Sequence, residues 1–125
     1  MNFALEIVNR AECAPFTTAD GSTIREFLNP RNSRLSDVSL AEATLAPGQA
    51  TARHFHPRAD EIYLVTRGQG QIEIEGATRS VAIGDAIAIP HGSAHQIRNT
   101  GARDLVFLCV CAPAYTHEDT VFVAD

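Results

Sequence analysis

Residues 48 to 68 read GQATARHFHPRADEIYLVTRG. His54 and His56, two apart, with Glu61 five residues further on, are residue types that hold divalent metals through neutral imidazole nitrogens and a carboxylate oxygen. Side chains alternate faces along a strand, so His54 and His56 point the same way. Glu61 lies an odd number of residues past His56 and would face away on one straight strand. Pro57 removes a ladder donor and PRAD suits a turn, so the chain can reverse and return Glu61 on a neighbouring antiparallel strand. His95, just beyond the turn Pro90-His91-Gly92, is the fourth candidate. Three imidazoles and one carboxylate suit a single Fe, Mn, Ni or Zn ion and leave positions for substrate, water or dioxygen.

These side chains need a β scaffold, and the chain spells one. DVSLAEATL, ATARHFH and EIYLVTR read as strands bounded by Pro47-Gly48, Pro57 and Gly68. QIEIEGATRSVAI reads as a hairpin, with Gly76-Ala77 as a two-residue turn. DAIAIP, SAHQIRN and DLVFLCVCA follow. Seven or eight short strands separated by turns indicate an antiparallel sandwich or barrel, and no segment shows a sustained helical period. Among the first 35 residues, STIREFLNP fits either a strand or a short helix, and NPRNSRLSD reads as a loop. At 125 residues the chain is expected to form one domain.

Two spacings then resemble the motifs of the cupin superfamily. The first is Gly48, five residues, His54-Phe55-His56, four residues, Glu61, six residues, Gly68. The second is Gly84, five residues, Pro90-His91-Gly92, two residues, His95, three residues, Asn99. The resemblance covers about residues 37–112. It implies an all-β, antiparallel double-stranded β-helix (jelly-roll) barrel, with an N-terminal extension (1–36) and a C-terminal tail (113–125). It also implies His54, His56, Glu61 and His95 as ligands of one divalent transition metal, Asn99 as structural, and a homodimer.

Parity describes the surroundings. Ala50 and Ala52 share a face with the two histidines, Val65 with Glu61, and Ile97 with His95, giving a small, mostly apolar wall. Arg53 and Arg98 point away, Arg67 sits at a strand end and Arg58 in the turn. Tyr63 faces inward, either packing in the core or contacting substrate. His91 reads as a turn residue, His117 as a local cap, and Cys109 and Cys111 as small packing groups. Gly48, Gly68, Gly84 and Gly92 read as turn glycines.

Composition narrows the partners. The net charge is −5 and all ten basic residues are arginines, which argues against nucleic acid or an anionic membrane surface. Cys13, Cys109 and Cys111 read as reduced thiols of a cytoplasmic protein, and the N-terminus reads as no signal peptide. The function expected is a dioxygenase-like oxidoreductase acting on a small chelating organic substrate, with Glu61 and Tyr63 as catalytic candidates. A sugar or sugar-acid isomerase or lyase is the alternative, and a non-catalytic small-ligand binding module the third.

Overall fold

Period-two burial along the longest strands dictates a two-layer structure. In β5 (Asp60–Arg67), Glu61, Tyr63 and Val65 are buried while Ile62, Leu64 and Thr66 are exposed. In β10 (Leu105–Ala112), Leu105, Phe107 and Cys111 are buried on one face. The computed structural model describes residues 5–18 and 20–124; the first four residues of the segment read as carrying no signal peptide lie outside it.

The remaining strands are β1 (Phe16–Thr17), β2 (Thr23–Leu28), β3 (Ser39–Leu45), β4 (His54–Phe55), β6 (Gln69–Ile74), β7 (Ala77–Ala82), β8 (Ala86–Ile89), β9 (His95–Asn99) and β11 (Val121–Phe122). One sheet has the order β1-β2-β3-β10-β5-β8 and the other β11-β4-β9-β6-β7. Every paired strand is antiparallel, and the chain crosses repeatedly from sheet to sheet, the winding of a double-stranded β-helix. Two 3-10 turns, Arg10–Glu12 and His117–Asp119, are the only helical elements among the described residues. None of these is long and apolar enough to cross a membrane.

The barrel has two ends. Leu45, Val65, Ile97, Leu105 and Phe107 are at most 1% exposed and form the packed end with Ile72, Val81 and Ile89. Ala43, Tyr63 and Phe107 belong to this core and also floor the cavity at the other end.

One detail resolves an open alternative of the sequence reading and three depart from it. STIREFLNP resolves to strand, because β2 pairs along β3, so residues of the extension widen the first sheet. ATARHFH is strand only at His54–Phe55, with one bridge from Ala50 to Arg98. Thr51 interrupts the ladder by taking the Ile97 N–H on its side-chain oxygen. The hairpin turn is Glu75-Gly76, one residue earlier than read, because Ile74 pairs with Ala77. Both turn residues have positive φ (49° and 86°), the type I′ geometry that matches strand twist. Glu75 tolerates it while its carboxylate accepts the Ala94 N–H at 2.6 Å. Finally, the tail returns as β11 on the edge of β4.

All four motif glycines adopt φ between 78° and 91°. At Gly68 a Cβ would also lie 2.5 Å from the Asp104 carbonyl oxygen, whereas at Gly84 nothing stands within 4 Å. Gly84→Ala should therefore cost about 1–2 kcal/mol from φ alone. Gly68→Ala should cost about 1–3 kcal/mol more from the clash. Urea unfolding of the two variants checks this, and equal losses would refute it.

Candidate metal centre

His54 and His95 face each other as a directly paired couple across β4 and β9. His56 follows β4 at the start of the PRAD turn, and Glu61 sits at the start of β5. The reversal at Pro57 occurs as read, but its destination differs. β5 belongs to the opposite sheet, so Glu61 reaches the histidines across the barrel and not from an adjacent strand. Donor atoms of His54, His56, Glu61 and His95 lie within 4.8 Å of one another, and all four residues are buried. They are the group that could hold a metal ion among the described residues.

Each imidazole is oriented by its Nδ1. The partners are the carbonyl oxygens of Ala52 for His54 (2.7 Å), Asp119 for His56 (2.8 Å) and Ser93 for His95 (3.0 Å). A carbonyl only accepts, so the proton resides on Nδ1 and each Nε2 presents a lone pair inward. Glu61 Oε1 stands 3.3 Å from His56 Nε2 and 3.6 Å from His95 Nε2. With these tautomers the contacts bring acceptor against acceptor. Glu61 Oε1 and His95 Nε2 are buried with no hydrogen-bond partner, an arrangement costing about 1–3 kcal/mol per group unless a cation shares the electron pairs. The donor set therefore fits a divalent transition ion.

The carboxylate is held from behind. Cys111 donates its Sγ–H to Glu61 Oε2 at 3.2 Å, leaving Oε1 to face the histidines. Burial would raise the Glu61 pKa, but imidazoles that carry a second proton and donate it from Nε2 bring it down to about 2; His56, 3.3 Å away, is the ring placed to supply that proton on acidification. Burial works to lower the His56 pKa, and the Glu61 carboxylate more than reverses it, so His56 is shifted upward. His54 is shifted downward, first by burial and then by His95. Burial, reinforced by the Glu61 charge, pushes the Cys111 thiol far up, so it stays protonated and able to donate.

The cluster opens into a cavity of about 80 Å³, room for several waters or a small organic molecule. Tyr63 lines its floor, with burial raising its pKa well above the ordinary phenol value. The wall differs from the parity reading. Ala41 and Ala43 of β3 supply the small residues where Ala50 and Ala52 were expected, and Val65 and Ile97 lie in the packed core. Cys109 and Cys111 line the cavity, and Cys111 is a hydrogen-bond donor as well as a packing group. Residues of β1 and β2 and Tyr115 of the tail complete the wall, and the sequence reading missed them. With them come charges: Asp20, Glu26 and Arg31, the last paired with Glu26 at 2.9 Å.

Most other expectations stand. Arg53 bonds Glu73 and Arg98 bonds the Gly48 carbonyl, both away from the cluster; Arg58 and Arg67 are exposed. His91 pairs with Asp60 at the surface, whereas His117, read as a local cap, lies exposed in a 3-10 turn that Thr116 caps instead. Asn99 ties the carbonyls of Leu45 and Arg103 with its amide.

A family model described as the Cupin domain matches residues 41–111. The chain belongs to the cupin family. An uncharacterised protein of Methanocaldococcus jannaschii is 41% identical over 106 residues, covering 85% of each chain. Oxalate oxidase 1 of Hordeum vulgare is 35% identical over 95 residues, 68% of this chain but 47% of the barley protein. The crystal structure of a predicted oxalate decarboxylase from Thermotoga maritima superposes with a TM-score of 0.77 at 26% identity, covering 86% of this chain and 98% of that one.

The depressed Glu61 pKa implies a pH signature in metal-free protein. Paired with a doubly protonated His56, a carboxyl shifted down from 4.5 to about 2 contributes stability that is present above pH about 4.5 for as long as His56 keeps that second proton, and that disappears as pH falls toward 2. The contribution is on the order of 3 kcal/mol. Urea unfolding between pH 2 and 7 should show a shallower acid decline in Glu61→Gln than in wild type; parallel curves would contradict it.

Proposed function

We propose that this cupin holds one divalent transition ion (Fe, Mn, Ni or Zn) on His54, His56, Glu61 and His95. We infer that it acts as a dioxygenase-like oxidoreductase on a small organic molecule chelating through one or two oxygens. The observation carrying the metal is the buried, unpartnered pair Glu61 Oε1 and His95 Nε2. When bound, such an ion supplies Lewis acidity and, for iron, manganese or nickel, redox capacity.

The chain's own groups have separable tasks. Glu61 supplies the single negative charge among the four ligands, and its low pKa makes ligation a stronger role for it than proton acceptance. Tyr63 keeps its proton and faces the cavity, so its hydroxyl is placed to donate to a substrate oxygen. Ala43, Phe107 and Cys109 surround the reacting region with apolar surface that keeps bulk water off reactive species. The names of two similar proteins, an oxalate oxidase and a predicted oxalate decarboxylase, both refer to a small oxygen chelator. That supports the substrate class.

The second reading is a metal-dependent isomerase or lyase on a sugar or sugar acid. Arg31 favours it as a cavity-lining cation, though its partner Glu26 offsets the charge. We further infer a homodimer, supported by outward-facing Ile62 and Leu64 at 49% and 38% exposure on β5. A reducing, cytoplasmic setting is supported by the three free thiols.

Protein purified without added metal or chelator should carry close to one ion per chain, and His56→Ala should lose it. Iron-loaded protein should consume oxygen with at least one of a panel of catechols, flavonols, diketones and thiols. Tyr63→Phe should keep the ion and lower kcat about 10²-fold. Turnover under strict anaerobiosis would move the protein to the second reading. A ligand recovered unchanged after prolonged incubation would make it a binding module. Sedimentation at micromolar concentration tests the dimer, which a monomer would refute.

A further inference from the structure

We propose that the C-terminal tail is a working part of the metal centre and that Asp119 is the positioning residue for His56. The inference rests on the metal-holding reading above and concerns residues beyond the matched family region, which ends at 111.

The three imidazoles are steered unequally. His54 and His95 each place Nδ1–H against a carbonyl two residues earlier on their own segment, Ala52 and Ser93. Those contacts travel with the histidines. The carbonyl that orients His56 belongs to Asp119, 63 residues further along the chain. The Asp119 carboxylate accepts the N–H of Arg58 on Oδ1 and of Ala59 on Oδ2, both at 3.0 Å. One residue thus grips the His56 ring through its backbone and the turn between His56 and Glu61 through its side chain.

The surrounding tail holds that residue in place. Thr116 caps the 3-10 turn by accepting the Asp119 N–H. Val121 and Phe122 then pair with Phe55 and His54 of β4, and the Val123 N–H reaches the Arg53 carbonyl at 3.0 Å. Tyr115 stands edge-on to the His56 ring, centroids 5.9 Å apart. β4 is only two residues long and meets β9 at a single residue pair, so its other edge depends on the tail.

Removing the Asp119 carboxylate releases two N–H groups and loosens the turn that presents its carbonyl. His56 can then rotate or place its proton on Nε2, where it no longer offers that nitrogen to a metal.

The test compares full-length wild type with Asp119→Ala, Asp119→Asn and Glu118→Ala, an exposed neighbour in the same turn. Nitrogen-15 NMR of metal-free protein reads each histidine tautomer directly. His56 should be the Nδ1–H form in wild type and Glu118→Ala, and a mixture in Asp119→Ala, with His54 and His95 unmoved. Cobalt(II) affinity, measured against a competing chelator, should fall about 10–100-fold in Asp119→Ala. It should recover partly in Asp119→Asn, which keeps one acceptor. An unmoved His56 tautomer, or an unchanged affinity, overturns the proposal while leaving the four-residue metal site intact. Wild-type protein that takes up no cobalt overturns the metal reading, and with it a metal role for the tail. If Asp119→Ala does not fold, Asp119→Asn carries both readouts, with a smaller shift expected and none overturning the proposal.

Discussion

Four electron-pair donors are packed within 4.8 Å of one another inside a closed barrel, and each imidazole proton is committed to an outward carbonyl. No side chain relaxes into a neighbour's proton, because the neighbours have none to offer. Such convergence is unfavourable for the protein alone, so the surrounding fold must over-determine it. It does so by fixing every donor from behind: carbonyls for the histidines and a thiol for Glu61. The same constraint explains the proton-rich character of the outer layer, where Cys111 and Tyr63 keep their protons through burial. Without metal, acidification offers another outcome, since His56 with its raised pKa can protonate and pair with Glu61. Protons and any metal held there would therefore compete for one arrangement.

The barrel separates stability from chemistry along its axis. One end is filled by Leu45, Ile97, Leu105 and Phe107, with essentially no exposure. Tyr63 belongs to both halves, its ring tilted against Phe107 with centroids 4.6 Å apart and lying 5.9 Å from the His95 ring. Packing on Phe107 fixes the phenol ring, so a group facing the cavity gains its orientation from the hydrophobic core. A functional side chain held by core packing is positioned more exactly than one on a loop.

Much of the centre was legible in the chain because ligands leave a signature of residue type and parity. His54 and His56 share a face by alternation alone, and Pro57 announces the reversal that frees Glu61 from that rule. What parity could not say is which sheet receives β5, since a turn fixes reversal but not the crossing from one layer to the other. The cavity wall was less legible for a similar reason. Ala41 and Ala43 line it because β3 pairs with β10 in register, a long-range fact no local pattern encodes. β1, β4 and β11 are two residues long, too short for alternation to be detected.

Asp119 marks the limit most sharply. Its decisive atom toward His56 is a backbone carbonyl oxygen, which every residue possesses, so no residue type at position 119 could announce it. Its carboxylate, in the stretch HED, looks like any acid near the end of a chain. The contact becomes visible only when two segments 63 residues apart are seen to share an edge. The identity of the four donors is thus written locally, while the orientation of His56 and Glu61 depends on distant segments. On the proposed reading, a substitution that leaves all four donors in place disables the centre by releasing one carbonyl.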